Sequence, residues 1–63
     1  MRDTDEVLAQ LQAIEERLRD LAYDRLRAAT EDGDVEAAAD EKKLLQARRA
    51  VERAITALGG APD

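Results

Sequence analysis

The feature that most constrains this chain is the spacing of its apolar residues, which alternates between four and three positions along two segments. The first stripe consists of Val7, Leu11, Ile14, Leu18 and Leu21. The second stripe has seven positions, two of them charged: Ala37, Glu41, Leu44, Arg48, Val51, Ile55 and Leu58. This alternation is typical of helices that pack against other helices. The spacing therefore predicts an all-α chain with two long helices.

Helix-start and helix-stop residues frame the two stripes. Asp3 or Thr4 can cap the first helix, and Asp34 can cap the second after the Asp32-Gly33 turn dipeptide. Gly59-Gly60 followed by Pro62 ends the second helix. We expect helix one over about residues 4–29, a turn over 30–34, helix two over about 35–58 and a flexible tail over 59–63.

The two stripes can face each other in an antiparallel hairpin. In such a pair, facing residues have numbers that sum to a constant. A sum near 66 joins apolar residues along most of the seam: Val7 with Leu58, Leu11 with Ile55, Ile14 with Val51 and Leu21 with Leu44. The same sum places Arg25 opposite Glu41, which predicts an ion pair near the turn. This agreement favours a single helical-hairpin domain over residues 1–63.

A chain of 63 residues buries little surface and usually needs a further source of stability. It has no Cys and no His, so disulfides and the commonest zinc sites are excluded. Further apolar residues lie beside the two stripes, and we expect them to mediate self-association: Leu8, Leu26, Leu45, Ala47, Ala50, Ala54 and Ala57. A homodimer that forms a four-helix bundle is the simplest closure.

Charge and hydropathy bear on the partners. The net charge of −5 argues against nucleic acid, because phosphate binding needs a surplus of Lys and Arg. No apolar run approaches the roughly 20 residues that span a bilayer, so we expect no membrane partner. The acidic N-terminus lacks the features of a signal peptide, and we expect a cytoplasmic protein.

The residue types also limit the chemistry. With no Cys, His or Ser and no Gly-rich phosphate loop, the chain carries no catalytic motif, and we expect neither an enzyme nor a cofactor. The span 31–41 contains six acidic residues and no basic one. We expect a solvated helix start there; the alternative is a weak calcium or magnesium site.

Four residues are candidates for binding a partner or ligand. Arg48 lies in the apolar stripe opposite Leu18, where the predicted register provides no facing carboxylate. It can reach water, Glu52 of its own chain, Glu15 or Asp20 of a dimer partner, or an anionic ligand or a carboxylate of another protein. Arg25 and Glu41 either fix the register or form half of a pocket. Tyr23, the one aromatic residue, either covers neighbouring side chains or anchors a partner.

In length, hairpin layout and stripe spacing, the whole chain resembles the Rop family of plasmid copy-number regulators. That resemblance implies a dimeric four-helix bundle. Rop proteins bind paired RNA loops through basic and polar residues and a Phe. This chain has no Phe and matches no RNA-contact motif, so the RNA function is not carried over.

The leading functional hypothesis is a small homo-oligomeric scaffold, adaptor or regulator that binds another protein through its helix faces and catalyses no reaction. The alternatives are a regulator that holds an anionic small molecule at Arg residues of a dimer seam, and a Rop-like small regulator.

Overall fold

Two antiparallel helices joined by a two-residue turn make up the computed structural model, which describes residues 2–60. Helix α1 spans Arg2–Asp32 and helix α2 spans Val35–Ala57. The hairpin is about 46 Å long and 16 × 14 Å across. The all-helical hairpin expected from the apolar spacing is confirmed. Met1 and residues 61–63 lie outside the described residues, so the expected tail is described only at Gly59 and Gly60.

Helix α1 is longer than expected at both ends. It begins at Arg2, so Asp3 and Thr4 lie within its first turn and do not cap it from outside. Asp3 and Asp5 still place negative charge near the helix N-terminus, where the helix dipole favours it. At the other end α1 continues to Asp32, which leaves only two residues for the turn.

The turn consists of Gly33 and Asp34. Gly33 has a φ of 66°, a left-handed conformation that L side chains rarely adopt, and this ends α1. Asp34 is extended and its Oδ1 accepts a hydrogen bond from the Ala37 N–H at 3.0 Å, which caps α2 as predicted. The Asp34 N–H donates to the Ala28 carbonyl at 3.4 Å, so the turn also closes the end of α1.

A glycine pair closes the end of α2. Gly59, with a φ of 90°, donates its N–H to the Thr56 carbonyl at 3.0 Å, and Gly60 donates to the Ile55 carbonyl at 2.9 Å. These two bonds form a Schellman motif. A Cβ on Gly60 would lie 2.7 Å from Leu8 Cδ1 and 2.8 Å from Ile55 Cγ2. The Gly60 backbone therefore rests on both helices and covers the open end of the seam.

The buried core between the helices is small. Among the described residues, its buried apolar members are Ala22, Ala37 and Ile55, and Ile55 is the only large one. The alanines lie towards the turn, where small side chains let two helices approach closely. Glu15 is buried among them at 7% exposure, although it is a carboxylate. The chain alone thus buries little apolar surface.

Helix α1 presents a different edge to α2 from the one expected. The residues of α1 that are buried or half-buried against α2 include Leu8, Glu15 and Ala22, whereas Ile14 is 47% exposed. Glu15 bonds to Arg48, so the residue across from Arg48 is Glu15 and not the predicted Leu18. The predicted pair Leu21 and Leu44 does lie together, lining one hollow. The physical reason is twofold: this rotation gives Arg48 a carboxylate and buries the small side chain of Ala22, which is 5% exposed, in the seam.

Candidate interaction surface

A cluster of four charged side chains joins the two helices near the middle of the seam. Nη2 of Arg19 donates to both carboxylate oxygens of Glu15, each at 3.0 Å. Nε of Arg48 donates to Oε1 of Glu15 at 2.8 Å and lies 3.3 Å from Oε1 of Glu52. We call Glu15, Arg19, Arg48 and Glu52 the ion-pair cluster. Because Glu15 is on α1 and Arg48 on α2, the cluster fixes how the helices meet.

Hydrogen bonds determine the protonation of Glu15. The bonds from Arg19, and then from Arg48, lower its pKa below the ordinary value of 4.5. They outweigh burial, which by itself would raise the pKa of a carboxyl group. Glu15 is therefore ionised at neutral pH. Among the described residues, no buried side-chain nitrogen or oxygen lacks a hydrogen-bond partner, so the cluster is fully satisfied.

The cluster changes the interpretation of Arg48. The prediction that the hairpin offers it no facing carboxylate is wrong, because Glu15 of the same chain lies directly across the seam. The sequence predicted that Arg48 could pair with Glu15 of a second copy or with Glu52 of its own chain. Both carboxylates lie beside the guanidinium of one chain. Arg48 therefore has its charge met within the hairpin.

Arg25 and Glu41 are not brought together. Within residues 2–60, no ion pair joins them: Arg25 is exposed and Glu41 is half-buried. Arg25 lies at the edge of the seam, where it lines a shallow hollow with Leu21 of α1 and with Asp40, Lys43 and Leu44 of α2. The predicted pairing of Arg25 with Glu41 is therefore wrong.

Apolar side chains follow one side of the seam along its length. Leu21 and Leu44 line the same hollow, and residues seven apart on a helix share its face. We call the six residues in these two heptad series the apolar face: Val7, Ile14 and Leu21 from α1, and Leu44, Val51 and Leu58 from α2. Four of them are 37–47% exposed, namely Val7, Ile14, Leu21 and Leu58.

The predicted self-association residues fall on two different sides. Helical spacing places the alanines of α2 beside the apolar face; Ala54 is half-buried, whereas Ala47, Ala50 and Ala57 are exposed. Leu26 and Leu45 lie on the opposite side of the seam, in the heptad series of Arg19 and Glu52. Leu8 lies in the seam itself, against Gly60. The structure thus divides one predicted surface into two.

Tyr23 lies on the outer surface of α1 and is 61% exposed. Leu26, three residues later, is 48% exposed and neighbours it on the helix surface. Together they form an apolar spot away from the apolar face.

Glu15 was the residue that sequence reasoning missed in the seam. Its position in the sequence could have indicated this, since Glu15 lies midway between Leu8 and Ala22 in one heptad series. An arginine within an apolar stripe, such as Arg48, also requires an acidic partner, and Glu15 can provide that carboxylate from the facing helix of an antiparallel pair.

The described residues show no arrangement of three or more acidic side chains suited to a metal ion. Neither helix in that part of the chain has the length and apolar character needed to cross a membrane. No protein-family model matches the chain, and no curated protein or solved structure matches it either.

Proposed function

We propose that this chain is an interaction module without enzymatic activity, which self-associates and presents its helix faces to another protein. The observation that carries the proposal is the apolar face. A series of apolar side chains runs along one side of the hairpin, and four of them are more than one-third exposed. Contiguous exposed apolar surface of this kind marks a binding site.

The size of the core supports the same proposal. Within residues 2–60 the only large apolar side chain that is buried is Ile55, so the hairpin by itself buries little apolar surface against the conformational entropy of ordering the chain. Covering the apolar face would add the missing burial. Association is then part of the folded state of the protein, which suits a scaffold or adaptor.

A second surface is left for another protein. Tyr23 and Leu26 lie away from the apolar face and remain accessible when that face is covered. Tyrosine is enriched at the energetically dominant positions of protein interfaces, because its ring packs while its hydroxyl stays solvated. We assign the contact with another protein to this spot.

The alternative function, binding of an anionic small molecule, requires an arginine that no carboxylate of the chain already pairs with. Arg48 lies 2.8 Å from Glu15 and 3.3 Å from Glu52, so no observation favours that alternative over the interaction module.

Sedimentation equilibrium across the micromolar range tests self-association. The chain has a mass of 7.0 kDa, and the expected result is a species of twice that mass. The melting temperature should rise with protein concentration, because association stabilises the folded state by mass action. A cooperatively folded monomer at all concentrations would overturn the proposal.

Tyr23→Ala tests the contact with another protein. A pull-down from the native host should lose its specific partner with Tyr23→Ala and keep it with Val35→Ala, an exposed apolar residue at the start of α2. Equal capture by both variants would show that Tyr23 is not in the contact.

A further inference from the structure

We propose that a second copy of this chain covers the apolar face, in an antiparallel arrangement that lays each α1 across the α1 of its partner. This inference rests on the proposed function and deepens it, because it names the interface, the occupant and the orientation.

Val7, Ile14 and Leu21 flank the edge of α1 that faces α2. That edge consists of buried or half-buried residues in alternating steps of three and four: Leu8, Leu11, Glu15, Leu18 and Ala22. In a two-helix hairpin the flanking series is left exposed, whereas in a four-helix bundle it lies inside, because each helix touches two neighbours. The exposed flanking series is therefore the one that a second hairpin would bury.

The broad side of the hairpin is comparable in size with a protein interface. The hairpin is 46 Å long and 16 Å wide, so the projected area of a broad side, which is the upper limit for the contact, is about 700 Å². A standard stable interface buries about 800 Å² per partner. A second hairpin has the same length and width, so it covers the whole face, and it presents an identical set of apolar side chains. A twofold pair is self-complementary by construction.

Charged residues at the two ends of the α1 part of the apolar face set the orientation. Asp3 and Arg25 are exposed, and each lies eleven residues from Ile14, on opposite sides of it. Eleven residues make about three helical turns, so all three side chains lie close to one line along α1. A twofold axis that crosses α1 at Ile14 brings Val7 onto the partner's Leu21 and Asp3 onto the partner's Arg25.

The opposite orientation lacks this match. If the two hairpins lay parallel, each α1 would cross the partner's α2, and the acidic starts of both α1 helices would meet at one end of the bundle. Asp3, Asp5 and Glu6 of the two copies would then repel one another. Charge complementarity therefore favours the antiparallel pair.

Cysteine cross-linking tests this arrangement, because the chain has no native Cys. The antiparallel axis places Ile14 beside the partner's Ile14 and Val51 beside the partner's Val51. Under mild oxidation, Ile14→Cys should convert most of the protein into a covalent dimer on a non-reducing gel. Val51→Cys should do the same, and it serves as an independent test if Ile14→Cys fails to fold. The matched control is Leu26→Cys, equally exposed on the opposite side, which should stay monomeric on the gel.

Mixtures of single variants test the orientation. Val7→Cys mixed with Leu21→Cys should give the mixed covalent dimer, and Val7→Cys alone should not. Efficient cross-linking of Val7→Cys with Leu58→Cys would establish the parallel pair and overturn the orientation. Cross-linking through Leu26→Cys would overturn the interface and leave the proposed function standing. So would a dimer in sedimentation that gives no cross-link within or between Ile14→Cys and Val51→Cys. If sedimentation shows only monomer, the proposed function itself fails.

Discussion

On one side of the seam Glu15 satisfies two arginines, whereas Ile14, the preceding residue, points to the other side and stays 47% exposed. The ion-pair cluster is completed by the chain itself, because its acids and bases come from both helices. The apolar face has no such internal partner. A hairpin of this length can therefore join its two helices through charge while leaving one apolar side uncovered.

The strongest test of the difference between the two sides of the seam places a carboxylate on each side in turn. Ile14→Asp should raise the dimer dissociation constant at least about 100-fold, because a carboxylate buried in an apolar interface costs about 3 kcal/mol. Leu26→Asp should change it less than about tenfold, although Leu26 is equally exposed in the hairpin. Sedimentation velocity over a dilution series measures both. Equal weakening by the two variants would remove the distinction between the sides.

The next test removes charge from the ion-pair cluster. Glu15→Gln should lower the free energy of unfolding by about 2 kcal/mol, since two arginines lose a buried ionic acceptor. Its control is Glu31→Gln, which removes an exposed carboxylate 3.4 Å from Arg27 and should change stability by less than about 0.5 kcal/mol. Urea unfolding at one fixed protein concentration measures both variants. A small effect at Glu15 would mean that the cluster does not hold the register.

Acid should reduce the contribution of Glu15 itself. Its pKa is lowered in the folded state, so its stabilising contribution is complete above the ordinary value of 4.5 and is lost as the pH falls through the folded pKa. The stability difference between the native chain and Glu15→Gln should therefore be constant near neutral pH and shrink in acid. Urea midpoints of both proteins from pH 7 to pH 2 provide the measurement. A difference that grows in acid would contradict the assigned direction.

The smallest expected effect comes from making the charged seam apolar. Arg48→Leu alone should destabilise, because it leaves Glu15 with one arginine fewer. Replacing both residues by Leu should restore stability to within about 1 kcal/mol, since apolar packing commonly substitutes for a buried ion pair. A double-mutant cycle by urea unfolding gives the coupling. Additive losses would show that the two side chains do not act together.

Much of this fold was predictable from local signals. The two helices follow from the four-three spacing, the turn from Gly33 and the cap of α2 from Asp34, because each depends on residues close in sequence. The facing edge of α1 was not predictable in the same way. Ile14 and Glu15 are neighbours in sequence but differ by about 100° around the helix, and a two-helix pair can turn towards either. The choice depends on Arg48 and Ala22, which act through packing and charge between the helices.

The two-residue connection at Gly33–Asp34 has a consequence for the order of folding. Short loops close in well under a microsecond and helices form on a similar timescale, so the hairpin assembles by local steps. Two chains at micromolar concentration, with a typical association rate constant, meet only about once per second. Because a lone hairpin buries little apolar surface, each new chain of the proposed pair forms and opens its hairpin many times before a second copy arrives. During that interval the abundance of this chain relative to competing binders decides which molecule it meets first.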